Sequence, residues 1–183
     1  MGNRLFIGGK FIGGKFTKKI TNKIANKNAV AVFFGKYNGT VVFTSTRIGV
    51  KIDINLKGFI GNSTHGFHVH KCGDMRKMCD SMCDHFNPHN KTHGGGHNPS
   101  PNRHVGDLGN ITADENGDII ETKMDNYISL DGNSINSIIG RGLIIHEDAD
   151  DCGFGIGDAK KISLETGNSG KRIACAVIGI CEN

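Results

Sequence analysis

The sequence predicts an all-β protein, an antiparallel sandwich or barrel of roughly eight short strands carrying two long loops. Three observations support this. Short runs rich in β-branched residues recur along the chain, turn signals separate them, and no stretch sustains helical periodicity. A length of 183 residues suits one well-buried domain. Hydrophobic content is modest at 37% and glycine is abundant at 27 residues, which favours turns and long loops over a large helical core.

The elements follow in order. AVAVFFG (29–35) reads as a strand and leads to a turn at Asn38-Gly39. TVVFTST (40–46) and RIGVKIDINLKGF (47–59) read as the next two strands. HGFHVH (65–70) is a further short strand. Residues 72–103 hold Gly, Pro, Asn, Cys and His and form the first long loop. RHVGDLGNIT (103–112), DIIETKM (118–124) and YISL (127–130) are short strands, with turns at Asn116-Gly117 and Asp131-Gly132. GLIIHE (142–147) is an almost unbroken apolar run that ends on His146. A second polar loop covers 148–171, and RIACAVIGI (172–180) closes the fold as a buried strand.

Residues 1–28 stand apart from the domain at 29–183. They contain a tandem FIGGK repeat and the bases Arg4, Lys10, Lys15, Lys18, Lys19, Lys23 and Lys27, with no acidic residue. This is expected to be a basic arm, disordered or added as an edge strand. Lys10 and Lys15 interrupt the apolar core that a signal peptide needs, so a cytoplasmic location is expected. A net charge of +4 is too mild to argue for nucleic-acid binding. No long apolar run is present to span a membrane.

The chemistry concentrates in histidine and cysteine. His68 and His70 are two apart in a strand, so their imidazoles point to one side. His85, His93, His97, His104 and His146 add further neutral nitrogen ligands suited to zinc or copper. His104 is followed three residues later by Asp107, a carboxylate that can complete a zinc site. Six cysteines without a recognised secretory signal suggest reduced thiols or metal ligands. A small zinc knuckle built from Cys72, Cys79, Cys83 and His85 is a weaker alternative, because the spacings miss the usual CxxC pairs.

Five segments occur in a telling order: GFHVH (66–70), HFNPH (85–89), RHVGDLGNITAD (103–114), SIIGRGLIIHEDADD (137–151) and GNSGKRIACAVIGI (167–180). In these the chain from about residue 29 to 183 resembles the copper/zinc superoxide dismutases. The resemblance implies an eight-stranded antiparallel Greek-key barrel of immunoglobulin-like sandwich form. It implies superoxide as substrate and disproportionation to oxygen and hydrogen peroxide as the reaction. It assigns copper, one per subunit, to His68, His70, His85 and His146, and zinc, one per subunit, to His85, His93, His104 and Asp107. His85 would bridge the metals and carry a proton during turnover. Arg172 would guide the anion, with Lys160, Lys161 and Lys171 adding positive potential. His65 and Asp150 would orient ligand rings. Cys79 and Cys175 would form the family's intrachain disulfide, which revises the expectation of free thiols. Cys72, Cys83, Cys152 and Cys181 receive no role, although a second bridge involving Cys83 or Cys152 is conceivable.

The same resemblance implies a homodimer, with the AVIGI strand and the KCGDM loop at its interface, and loading by a copper chaperone. Two departures stand out. His97 lies in an apparent insertion before His104 and could compete for zinc, and His89 is expected at the surface. Two rival functions are a chaperone-like protein that borrowed the fold and a structural zinc module. The first would need a thiol-rich delivery motif such as CxxC, which the N-terminal segment lacks. The second would tolerate loss of His68, His70, His146 and Arg172, yet all four are present.

Overall fold

A computed structural model describes residues 27–95 and 102–182. Nine strands form two antiparallel sheets packed as a sandwich. One sheet runs β10-β1-β2-β3-β7, from β1 (Asn28–Phe33), β2 (Asn38–Ser45), β3 (Val50–Lys57), β7 (Ile119–Asp125) and β10 (Gly179–Cys181). The other runs β6-β4-β8-β9, from β4 (Thr64–His70), β6 (Asp107–Thr112), β8 (Gly142–His146) and β9 (Arg172–Val177). A short strand β5 (Arg76–Cys79) lies in the first long loop.

Alternation builds the core. On β3, Val50, Ile52, Ile54 and Leu56 are buried, while Lys51, Asp53, Asn55 and Lys57 face outward. Phe33, Phe43, Phe67, Val69, Leu143, Ile145 and Ala176 meet them from the other strands. Each fully buried side chain such as Ile52 contributes about 1.5–3 kcal/mol. β4 is buried on both faces, so Phe67 and Val69 enter the core while His68 and His70 serve the opposite side.

The expected all-β sandwich is thus present, with local differences. The first turn falls at residues 35–37, ahead of Asn38-Gly39, which open β2. Residues 127–130 make only an isolated bridge, Ser129 with Ser137. The closing strand is split at Ile178, where the chain leaves one sheet for the other. A helix α1 (Lys160–Thr166) lies inside the second loop. It is too short to show a periodic apolar face and buries only Ser163. The basic arm lies outside the described residues except for its last two positions, and Asn28 already belongs to β1.

Candidate metal centre

Loops at one end of the four-stranded sheet bring the polar side chains together. β4 supplies His68 and His70, and β8 ends on His146. His85 pairs as an isolated bridge with His70, just after the first loop's 3-10 turn. His93 and His104 come from the loop ahead of β6, and Asp107 opens β6. Each of these residues is buried; His68 and Asp107 are at 0% exposure.

Two groups result. His68, His70, His85 and His146 offer nitrogens that converge on one point, and His85, His93, His104 and Asp107 converge on another. Within each group the ligand atoms lie within 4.8 Å of one another. His85 belongs to both. Its Nδ1 is 2.9 Å from Asp107 Oδ1, while its Nε2 faces the first group without a hydrogen-bond partner.

The surrounding residues decide which nitrogen each ring presents. His68 donates from Nε2 to Asp150 Oδ2 at 2.9 Å, His70 from Nδ1 to the Cys83 carbonyl at 2.9 Å, and His146 from Nδ1 to the Gly170 carbonyl at 3.3 Å. His93 donates from Nε2 to Asp150 Oδ1 at 2.7 Å. The nitrogens left over are His68 Nδ1, His70 Nε2, His93 Nδ1 and His146 Nε2, all buried and unpartnered as hydrogen bonds. His93 Nδ1 does lie 3.1 Å from Asp107 Oδ2, near enough for ion pairing but not aligned as a hydrogen bond. Leaving so many buried nitrogens without partners costs free energy, and a cation at each point would satisfy them. Imidazole and carboxylate donors suit zinc or copper, so the residues present fit both metals.

Electrostatics support the same arrangement. Burial holds the His85 and His146 rings neutral, down to about 3, and neighbouring His68 pushes the same way. Burial pulls His70 down further still. Burial also opposes charge on His93, but the nearby Asp107 carboxylate and the hydrogen bond to Asp150 outweigh it and raise the ring to about 9. Burial raises Asp107, yet the imidazoles of His104, His85 and His93 keep it well below the usual carboxylate range.

The supporting shell accounts for the remaining expected residues. Asp150 joins His68 to His93 through its two oxygens. Gly167 makes that join possible: at φ +74° it caps α1, and a Cβ there would overlap Asp150 Oδ1 and His93 Nε2. His65 donates from Nδ1 to the His146 carbonyl at 2.7 Å. Arg172 borders the open cleft with His70, His85 and His146, and its guanidinium donates to the carbonyls of Cys79 at 2.9 Å and Cys83 at 2.6 Å. Lys71, Lys91 and Arg141 also line this cleft, whereas Lys160, Lys161 and Lys171 are not among its lining residues. His89 lies apart, bonded to Asn136. His97 falls outside the described residues.

The cysteines correct the knuckle alternative. Cys79 is bonded to Cys175 and Cys72 to Cys83, so their sulfurs hold no zinc. Cys152 and Cys181 are free. A residue that sequence reasoning passed over is Arg103, 1% exposed. It ion-pairs with Asp125 and donates to the Asp107 carbonyl at 2.9 Å and the His104 carbonyl at 3.2 Å, which ties the second ligand group to the sandwich.

A β-sandwich that gathers two candidate ligand sets around one shared imidazole has the donor arrangement of a paired metal site. The comparisons narrow this further. Residues 37–178 match the copper/zinc superoxide dismutase family. A superoxide dismutase [Cu-Zn] of Paramecium bursaria Chlorella virus 1 is 49% identical over 152 residues, 83% of this chain and 78% of that protein. The superoxide dismutase [Cu-Zn] of Schizosaccharomyces pombe is 46% identical over 83% of this chain and 97% of its own length. An extracellular superoxide dismutase [Cu-Zn] of Brugia pahangi is 46% identical over 80% of this chain and 71% of its own length. The crystal structure of the clock protein EA4 superposes with a TM-score of 0.78 at 38% identity, covering 93% of this chain and all of that one. The chain belongs to the copper/zinc superoxide dismutase family, oxidoreductases whose cofactors are copper and zinc.

Proposed function

We propose that the protein disproportionates superoxide to oxygen and hydrogen peroxide, with copper held by His68, His70, His85 and His146 and zinc by His85, His93, His104 and Asp107. The observation that carries this reading is the His85 ring, which turns one nitrogen to each ligand set. When bound, copper supplies two oxidation states and zinc supplies a fixed charge without redox chemistry. His85 Nε2 is then the atom that can gain and lose a proton beside the reacting anion, while Nδ1 stays engaged on the Asp107 side. Arg172 is a planar cation with donors beyond the two used on the carbonyls, which suits it to a small anion. Purified protein assayed for both metals and for superoxide removal tests the proposal. Near-equal copper and zinc with activity supports it; stable binding of zinc alone without activity overturns it.

Two predictions arise here. Arg172→Ala should lower kcat/KM by about an order of magnitude and flatten its fall with added salt, read by stopped-flow at graded ionic strength. Filling the zinc set should expel a proton from His93. Its raised value of about 9 means the metal-free ring is charged at pH 7, and a ligand nitrogen must be neutral. Calorimetry in buffers of different ionisation enthalpy should therefore find about one proton released at pH 7 from this ring, fading as pH rises past its folded value.

The reading extends to a homodimer in the cytoplasm, loaded by a copper chaperone. Ile180 on edge strand β10 is 78% exposed, an apolar side chain available to a second copy. Sedimentation checks the assembly. No helix among the described residues is long and apolar enough to cross a membrane. One relative is named extracellular, so cell fractionation is the test of location.

A further inference from the structure

Cys83, in the first long loop, has a backbone conformation that is unusual for a residue with a side chain. Its backbone lies at φ 63° and ψ −157°, a region that is essentially reserved for glycine. A residue with a Cβ stays there only when its surroundings hold it. Three things hold Cys83. Its sulfur is bonded to Cys72. The backbone on either side is tied back, Cys72 N–H to the Met82 carbonyl at 3.1 Å and Lys71 N–H to the Asp84 carbonyl at 2.8 Å. The Met82 side chain is wholly buried beneath the turn.

The held conformation aims one atom. The Cys83 carbonyl accepts from His70 Nδ1 at 2.9 Å and from Arg172 Nη2 at 2.6 Å, using both of its lone pairs. One side chain belongs to the copper set and the other borders the cleft as the anion guide. The Cys79–Cys175 bridge supports a second carbonyl, that of Cys79, which accepts from Arg172 Nη1. It does not reach the Cys83 backbone, which lies four residues further on, past the 3-10 turn.

We infer that the Cys72–Cys83 bridge is a positioning clamp for the reaction: it fixes the Cys83 carbonyl in a glycine-like conformation so that His70 and Arg172 are oriented together. The inference rests on the copper and anion roles proposed above. Without the bridge, Cys83 relaxes toward an ordinary backbone conformation and its carbonyl turns away. Both side chains then lose the same acceptor at once. A glycine at position 83 can hold the conformation unaided, so it compensates for a missing bridge.

The test compares wild type with Cys72→Ser and with Cys72→Ser/Cys83→Gly, each loaded with both metals. Azide, a small anion, is titrated against the copper absorption band, and kcat and KM are measured separately. Cys72→Ser should weaken azide binding about tenfold and raise KM, and the double variant should recover most of the loss. In metal-free protein, the downfield His70 imidazole N–H resonance should broaden or vanish in Cys72→Ser and return in the double variant. Unchanged azide affinity and an unchanged His70 signal in folded Cys72→Ser would overturn the clamp, leaving the bridge a purely stabilising link. Loss in Cys72→Ser with no recovery on adding glycine would overturn it equally. If Cys72→Ser does not fold, the double variant compared with wild type decides: a wild-type-like His70 signal and azide affinity support the clamp, and their loss counts against it. An inactive, fully metallated wild type would instead refute the proposed function, while the metal-free resonance would still report on the clamp.

Discussion

His85→Ala is expected to reduce superoxide removal by about a hundredfold or more per bound copper, the scale of losing a positioned proton carrier. The physical ground is that His85 is the one residue common to both ligand sets. Its ring packs 4.2 Å from that of His68 and meets the His93 and His104 rings edge-on. Alanine removes a proposed ligand from each set and leaves Asp107 without one of the three imidazoles that hold its charge. Metal analysis must accompany the assay, so that activity is expressed per copper. A variant that retains both metals and full activity would refute the bridging role.

Arg103→Ala is expected to cost the metal-free protein about 3–5 kcal/mol, because it strands the Asp125 carboxylate in the interior. Asp125 is 6% exposed and, among the described residues, otherwise accepts from the backbone N–H groups of Tyr127 and Ile128. The same change removes the Arg103 donor from the carbonyls of His104, Val105 and Asp107, of which that of His104 still accepts from the Asp107 N–H, along the backbone that carries two of the proposed zinc-set residues. Denaturant unfolding of the metal-free protein measures the loss. Arg103→Met/Asp125→Leu should recover part of it, since replacing both charges removes the stranded carboxylate. Recovery should be incomplete, because the three carbonyls still lack the bonds that Arg103 gave them. Equal stability of wild type and Arg103→Ala would show that the buried pair does not anchor this loop.

The proposed ligands were legible in the sequence because metal chemistry restricts residue types. His68 and His70 are two apart on a strand, and His104 and Asp107 are three apart, so local geometry already directs them together. The sandwich was legible for a similar reason, since alternation along β3 and the apolar runs of β4 and β8 are local patterns. The short helix α1 escaped notice because two turns with one buried residue carry almost no periodic signal. The split of the last strand at Ile178 was hidden because both halves are apolar enough to read as one.

By itself the sequence determined the all-β class and the membership that its ordered motifs imply, and it named the candidate ligands, because each is written in residue type and short-range spacing. Only the tertiary structure decided which nitrogen the ligand-set imidazoles present, that Arg103 pairs with Asp125, and that Cys83 rather than Cys152 enters the second bridge, with Cys72 as its partner. These depend on directions and distances between segments far apart in the chain. A carbonyl such as that of Cys83 has no side-chain identity to read, so its role is set by where the fold points it.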